Sequence, residues 1–354
     1  MRIRPIIFLL VFPLMLSVPA RSANRYSLER RTVEGVATFR LSDEKLNQQV
    51  SIAPEVGNVA YEFLAGGKNI FYRPAPLGEL RERKILAGNP FLSPWVSRID
   101  GEEYYVGGKK YRFNNALGNL HRDSNNRILH GLLIWSPYWK VAKSGASDAE
   151  GAYLVSRLDF YRYPDLMAQF PFAHTLEMTY RLKDGQLEVG MRVTNLAEEA
   201  MPIAFGFHPY FQLSDAPRDE WRLRLAARER WSYPGGFTSA PRRAPVTDEF
   251  PHPDDISLAG RSLDNVFFGT LAAQDGRSHF AVTGKREKIE VILDKEYDVV
   301  VIYAPEGKNF LCIEPWTAAP NAFNMHHRGF YPEMKSVAAG ETFSATFSIR
   351  PVGF

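Results

Sequence analysis

Thr175-Leu-Glu-Met-Thr-Tyr-Arg-Leu182 and Gln186-Leu-Glu-Val-Gly-Met-Arg-Val-Thr-Asn195 both alternate apolar and polar side chains, and Lys183-Asp-Gly185 lies between them. Period-two alternation puts one apolar face on a pleated strand, and Asp-Gly is a strong hairpin turn signal. Working outward from this hairpin, the same texture recurs. Tyr104 to Phe113 is broken by Gly107-Gly108, and Lys288 to Leu293, Asp298 to Tyr303 and Thr342 to Ile349 are short strand-like runs. Phe, Tyr and Trp make up 13% of the chain, which favours strands over helices. Leu77 to Leu86 reads as a helical turn or two, and Pro234 to Asp255 as a long surface loop. Neither an internal repeat nor a low-complexity stretch is visible. The fold class expected is all-β, a large antiparallel β-sandwich.

The first residues carry a different message. Met1-Arg-Ile-Arg precedes an apolar run from Pro5 to Val18, and small residues around Ala20 to Ala23 suit cleavage. That run is shorter than the roughly 20 residues a membrane helix needs. The expectation is a signal peptide over 1–23 and an exported, periplasmic or secreted protein with no membrane attachment afterwards. The 24–354 remainder is expected to be one domain. Cleavage after Ala20 would remove Arg2 and Arg4 and take the formal charge from +3 to +1. Basic runs such as Arg81-Glu-Arg-Lys84 are short and mixed with acid, so nucleic acid is not an expected partner. Cys312 is the sole cysteine, so no intrachain disulfide can form.

Two passages carry the chemistry. Phe205-Gly-Phe-His-Pro-Tyr-Phe centres on His208, and Cys312-Ile-Glu-Pro-Trp-Thr centres on Glu314, 106 residues later. Each sets one ionisable side chain in an apolar run just before a proline, which pushes the preceding residue towards extended geometry. An imidazole and a carboxylate so placed suit an acid–base pair. Taken alone, a histidine on an apolar strand is more often a hydrogen-bonded core residue. A buried glutamate without a purpose would be costly. Arg98, His130 in Leu129-His-Gly131 and Asp264 in Ser262-Leu-Asp-Asn are further polar positions in motif-like settings.

With these five in view, the chain resembles the aldose 1-epimerase, or galactose mutarotase, family from about residue 30 to its end. Pro90-Phe-Leu-Ser-Pro-Trp…Ser97-Arg resembles the family's arginine motif, and Leu129-His-Gly131 its first histidine motif. His208-Pro-Tyr-Phe resembles the second. Leu263-Asp264 is similar to the aspartate position, and Glu314-Pro-Trp-Thr…Pro320-Asn-Ala to the glutamate motif. The resemblance implies a supersandwich of the galactose mutarotase type that interconverts the α and β anomers of a free aldose. It also implies Glu314 as general base and His208 as general acid, with Arg98, His130 and Asp264 gripping sugar hydroxyls. Neither cofactor nor metal is expected. Leu132 and Asn265 depart from the family's pattern, which bears on substrate preference.

Three other readings remain open: a hexose-6-phosphate 1-epimerase using Arg122, Arg127 and Lys140, a carbohydrate-binding protein without turnover, and a lyase or hydrolase using Asp264 with Glu314. Trp135, Trp139 and Trp316 are candidates for stacking on a sugar, with Phe267, Tyr303 and Tyr331 behind them. His121, His174, His252, His279, His326 and His327 read as structural or solvent-facing. The last two are adjacent, so on a strand they would point to opposite faces. Opposite charges favour each other, so a carboxylate Glu314 and a partly protonated His208 are expected near neutral pH, with a bell-shaped rate profile between about pH 5 and 8.

Overall fold

A computed structural model describes residues 24–232 and 240–354. The expected leader, residues 1–23, and residues 234–239 of the expected loop lie outside the described residues. The decisive hairpin forms where alternation places it: His174–Lys183 pairs antiparallel with Gln186–Asn195, closing at Lys183 opposite Gln186. Asp184 and Gly185 both take positive φ, 47° and 81°, as a two-residue turn matched to strand twist requires.

Among the described residues this hairpin sits within a nine-stranded antiparallel sheet, between Gly151–Asp159 on one side and Thr342–Val352 on the other. A second sheet of eight strands carries Leu263–Thr270, Val299–Ala304, Leu311–Trp316 and the short strand Gly206–Phe207 in that lateral order. A five-stranded sheet is built from the first strands, Tyr26–Val33 onward. The two large sheets meet through aromatic side chains: Phe207 of one lies 4.9 Å from Phe347 of the other, ring centre to ring centre. This is the β-sandwich the alternation implies.

The helical stretches are short. Leu77–Glu82 buries Leu77 and Leu80. Arg242–Pro245, inside the span read as a loop, is a strand on Ala227–Ser232. Ala322–His327 is a helix rather than a strand, so the adjacency argument for His326 and His327 does not apply. His326 is held through Nδ1 at 2.9 Å from the Tyr331 carbonyl, while the His327 ring stacks on Tyr105.

Candidate active site

Register explains why one face of the eight-stranded sheet is chemical. Side chains directly opposite each other on paired strands share a face. Val301 lies opposite Glu314, Tyr303 opposite Cys312, and Asp264 opposite Tyr303. These side chains line up on one face, and the alternate positions Val300, Ile302 and Ile313 are buried on the other. Alternation also turns Phe207 into the inter-sheet core and His208 outward. Gly206 pairs with Trp316, which brings the His208 passage beside the Glu314 passage despite their separation in the chain. Three bonds clamp the junction: Thr317 N–H and the Thr317 hydroxyl donate to the Phe205 carbonyl at 2.9 and 2.8 Å, and Phe205 N–H donates to Thr317 Oγ1 at 3.1 Å.

The result is an open cavity of about 300 Å³ lined by Arg98, His130, His208, Asp264 and Glu314 together. Ser97, Tyr210, Tyr303 and Trp316 complete its polar and aromatic wall. All five positions singled out by sequence therefore converge. At its floor His208 Nε2 lies 3.3 Å from Glu314 Oε1. Glu314 Oε2 and His208 Nδ1 are buried with no hydrogen-bond partner among the described residues. The His208 ring is stacked on Tyr210, 4.6 Å between centres and tilted by only 8°.

His130 is fixed by the backbone on both sides. Its N–H donates to the Ser97 carbonyl at 2.8 Å, and Ser97 N–H donates to its Nδ1 at 3.1 Å. An accepting Nδ1 assigns the proton of the neutral ring to Nε2, which makes that atom a donor. Both residues adopt left-handed φ, His130 at 57° and Ser97 at 50°, a conformation uncommon for non-glycine residues and concentrated at functional sites. Arg98 is held by Asp123, with Nε donating to Oδ2 at 2.8 Å. Burial would raise the Asp123 carboxyl, but Arg98 and the backbone N–H groups of Arg127 and Asn125 outweigh it and bring it down to about 2.

The charge state of the central pair differs from the sequence expectation. Burial pushes Glu314 well above the usual carboxylate range, the negative charge of Asp264 adds to this, and Arg98 opposes it. Burial also lowers His208, to about 3. Desolvation is the leading cause for both groups and disfavours the charged form of each, against the direction that mutual attraction alone would give. Sequence order says nothing about depth, which is why the attraction alone was legible. Asp264 lies at the rim with solvent access, yet crowded enough that its carboxyl is raised by desolvation, again opposed by Arg98. His130 is pushed well below its ordinary value by burial and then by His208 and Arg98.

Other expectations resolve individually. Trp316 and Tyr303 face the cavity, whereas Trp139, Phe267 and Tyr331 are fully buried core. Trp135 lines a neighbouring cavity, and so does His121. Arg122 is engaged by Glu102 and Arg127 by Asp123. Neither they nor Lys140 line the active-site cavity, so the phosphate cluster does not assemble there. His174 is buried with Nδ1 at 2.7 Å from the Phe172 carbonyl, and His279 pairs with Asp275. Tyr210 and Asp123 were not anticipated. Tyr210 stands two residues after His208 in its motif, a readable signal. Asp123 has none. His208, Cys312 and Glu314 each offer a ligand atom within 4.8 Å of the others, a set able to hold a soft divalent ion; the first and last of these side chains also form the proton pair.

The cleft thus combines a buried carboxyl–imidazole pair with convergent polar side chains on one face of a β-sandwich. The family model of aldose 1-epimerase matches residues 76–350, and the chain belongs to that family. It is similar to YihR of Escherichia coli, an uncharacterized protein, at 25% identity over 66% of this chain and 70% of that one. YphB of the same organism, also uncharacterized, is 24% identical over 73% and 82% of the respective chains. The crystal structure of a galactose mutarotase-like protein from Clostridium acetobutylicum superposes with a TM-score of 0.82 over 93% of this chain and 99% of that one, at 20% identity, which speaks to the fold.

Proposed function

We propose that the protein is an aldose 1-epimerase that interconverts the α and β anomers of a free aldose by proton transfer. The observation that carries this reading is the 3.3 Å contact between His208 Nε2 and Glu314 Oε1 on the floor of an open polar cleft. A hemiacetal changes anomer by opening, rotating about C1–C2 and closing on the other face. Opening needs one group that takes the C1 hydroxyl proton and one that gives a proton to the ring oxygen. One proton shared between the two members is the count the reaction needs. A C1 hydroxyl donating to the unpartnered Glu314 Oε2 favours the carboxylate, and Arg98 pulls the same way. The proton then resides on His208, next to the ring oxygen. Glu314 acts as base and His208 as acid in opening, and they exchange roles in closing. The contact is long for a hydrogen bond, so sugar oxygens can replace it. His130, as an Nε2–H donor, Arg98 and Asp264 bind the remaining hydroxyls.

Crystalline α-D-glucose or α-D-galactose, dissolved with the protein, is expected to lose optical rotation faster than alone, with no new species on chromatography. Release of single sugars from lactose or maltose in a parallel incubation would mean hydrolysis instead, and tight binding of glucose or galactose with an unchanged trace would mean a lectin-like role. Either result overturns the proposal. Export through a leader at residues 1–23 belongs to the same reading. The first residue of protein recovered from a periplasmic or culture fraction tests it, and is expected between positions 21 and 24.

A further inference from the structure

A second open cavity has a volume of about 230 Å³. It and the first draw on the same two stretches of chain: Leu86, Leu129 and His130 line the catalytic cavity, and Lys84, Gly131 and Leu132, one to two positions away in sequence, line the other. Nothing in the proton chemistry uses this second space. Its wall nevertheless combines two half-buried aromatic side chains, Trp135 and Tyr138, with Asn119, His121 and Asp165. Sugar rings offer an apolar face of C–H groups and a rim of hydroxyls, so they are held by an aromatic surface beside planar hydrogen-bonding groups.

The aromatic groups are anchored rather than loose. Trp135 Nε1 donates to the Ile85 carbonyl at 3.2 Å, and its ring meets the edge of His121 at 5.0 Å. One face of Tyr138 stacks on Tyr163 at 3.8 Å, and its hydroxyl lies 3.3 Å from Asp165 Oδ2. Asn119 donates to the Asp165 carbonyl at 3.0 Å and accepts from Gln169 at 2.7 Å. Lys84 stands in left-handed geometry with φ 53°, at the turn that follows Leu77–Glu82. Such supported, pre-oriented groups lose little entropy on binding. Burial and the nearby Lys84 keep His121 below its usual value, so its neutral ring both donates and accepts near neutral pH.

We propose that this second cavity binds the next unit of an oligosaccharide whose reducing-end ring sits over Glu314 and His208, so that reducing disaccharides or longer chains are preferred to single sugars. The inference rests on the reading of the first cavity as an aldose site. The plainer alternative is that Trp135 only caps the core beneath it, against which it also packs.

Mutarotation of crystalline α-lactose, β-maltose and β-cellobiose should be compared with that of α-glucose and α-galactose. At least one disaccharide is expected to show a KM about tenfold or more below the single sugars at similar kcat. Trp135→Ala is expected to raise that KM about tenfold while the single-sugar constants stay within about twofold. His121→Gln, a milder change, is expected to act in the same direction and decides the matter if the tryptophan variant does not fold. Equal KM values for one and two rings, or equal losses on both, would overturn the proposal. Calorimetry of the same sugars on Glu314→Gln separates the two claims. A disaccharide preference in binding supports the second cavity even if turnover is absent from the native protein, and no preference refutes it even if turnover is present.

Discussion

Replacing Glu314 by Gln keeps the volume and hydrogen-bonding capacity of the side chain while removing its ability to exchange a proton. Positioned proton transfer contributes about 10²–10⁴-fold, which at 1.36 kcal/mol per decade is about 3–5 kcal/mol of barrier. Polarimetry of freshly dissolved α-D-glucose, corrected for the spontaneous rate, should fall by that factor, while calorimetric sugar binding changes little. The same variant has a stability signature. Burial raises the Glu314 carboxyl well above 4.5 in the folded protein, so the folded chain holds this proton more tightly than the unfolded one. Its contribution to stability is thus fully present below the unfolded value and is lost as pH rises through the folded one. A glutamine at this position carries no such loss, so the variant should unfold at a higher temperature than the native protein near neutral pH, with the advantage shrinking in acid. Full activity in the variant would place the base elsewhere. An unchanged or lower midpoint near neutral pH would mean that Glu314 is carried as an ordinary carboxylate, and the argument from burial would fall.

Further expectations follow from the same geometry. The rate should be level across neutral pH rather than peaked within about pH 5–8; it should fall in acid only as His208, whose value lies at about 3, takes a second proton, and in base as the pair loses its one proton. A sharp optimum near the ordinary histidine value would contradict this. Asp123→Asn should leave kcat nearly unchanged and raise KM about fivefold to thirtyfold, the effect of losing about 1–2 kcal/mol of charge-assisted positioning of Arg98, read from initial rates against sugar concentration. Gly206→Ala should cost about 1–3 kcal/mol by overpacking, since a methyl group there would lie 2.3 Å from Trp316 Cδ1 and 2.9 Å from the Pro315 carbonyl; denaturant unfolding measures it, and activity should fall with it because both contacts border Glu314. Prolonged chelation followed by dialysis should leave the rate within about twofold, as proton transfer by His208 and Glu314 requires no Lewis acid.

Much of the architecture was legible because alternation and turn chemistry are local. The hairpin of His174–Lys183 and Gln186–Asn195 declares itself through period two and Asp-Gly, and the strand Lys288–Leu293 coincides with its apolar run to the residue. His208 and Glu314 were legible because each interrupts an apolar run with an ionisable group, whereas Arg98, His130 and Asp264 were legible only through the motifs that resemble the family's. Other features are tertiary quantities. The depth that reverses the charge order of His208 and Glu314 arises from how two sheets cover them. Asp123 reaches Arg98 across 25 positions of irregular chain, with no periodicity to announce it. The helix Ala322–His327 is only six residues long and starts after Asn321 in left-handed geometry, too short for a helical period to show.

The clamp between Phe205 and Thr317 joins segments separated by 112 positions, and the proton pair flanks that junction. Contacts of such high sequence separation are entropically slow to close. Recovery of optical-rotation activity during renaturation therefore reports completion of this distant pairing, and should trail the return of the nearby hairpin's circular-dichroism signal.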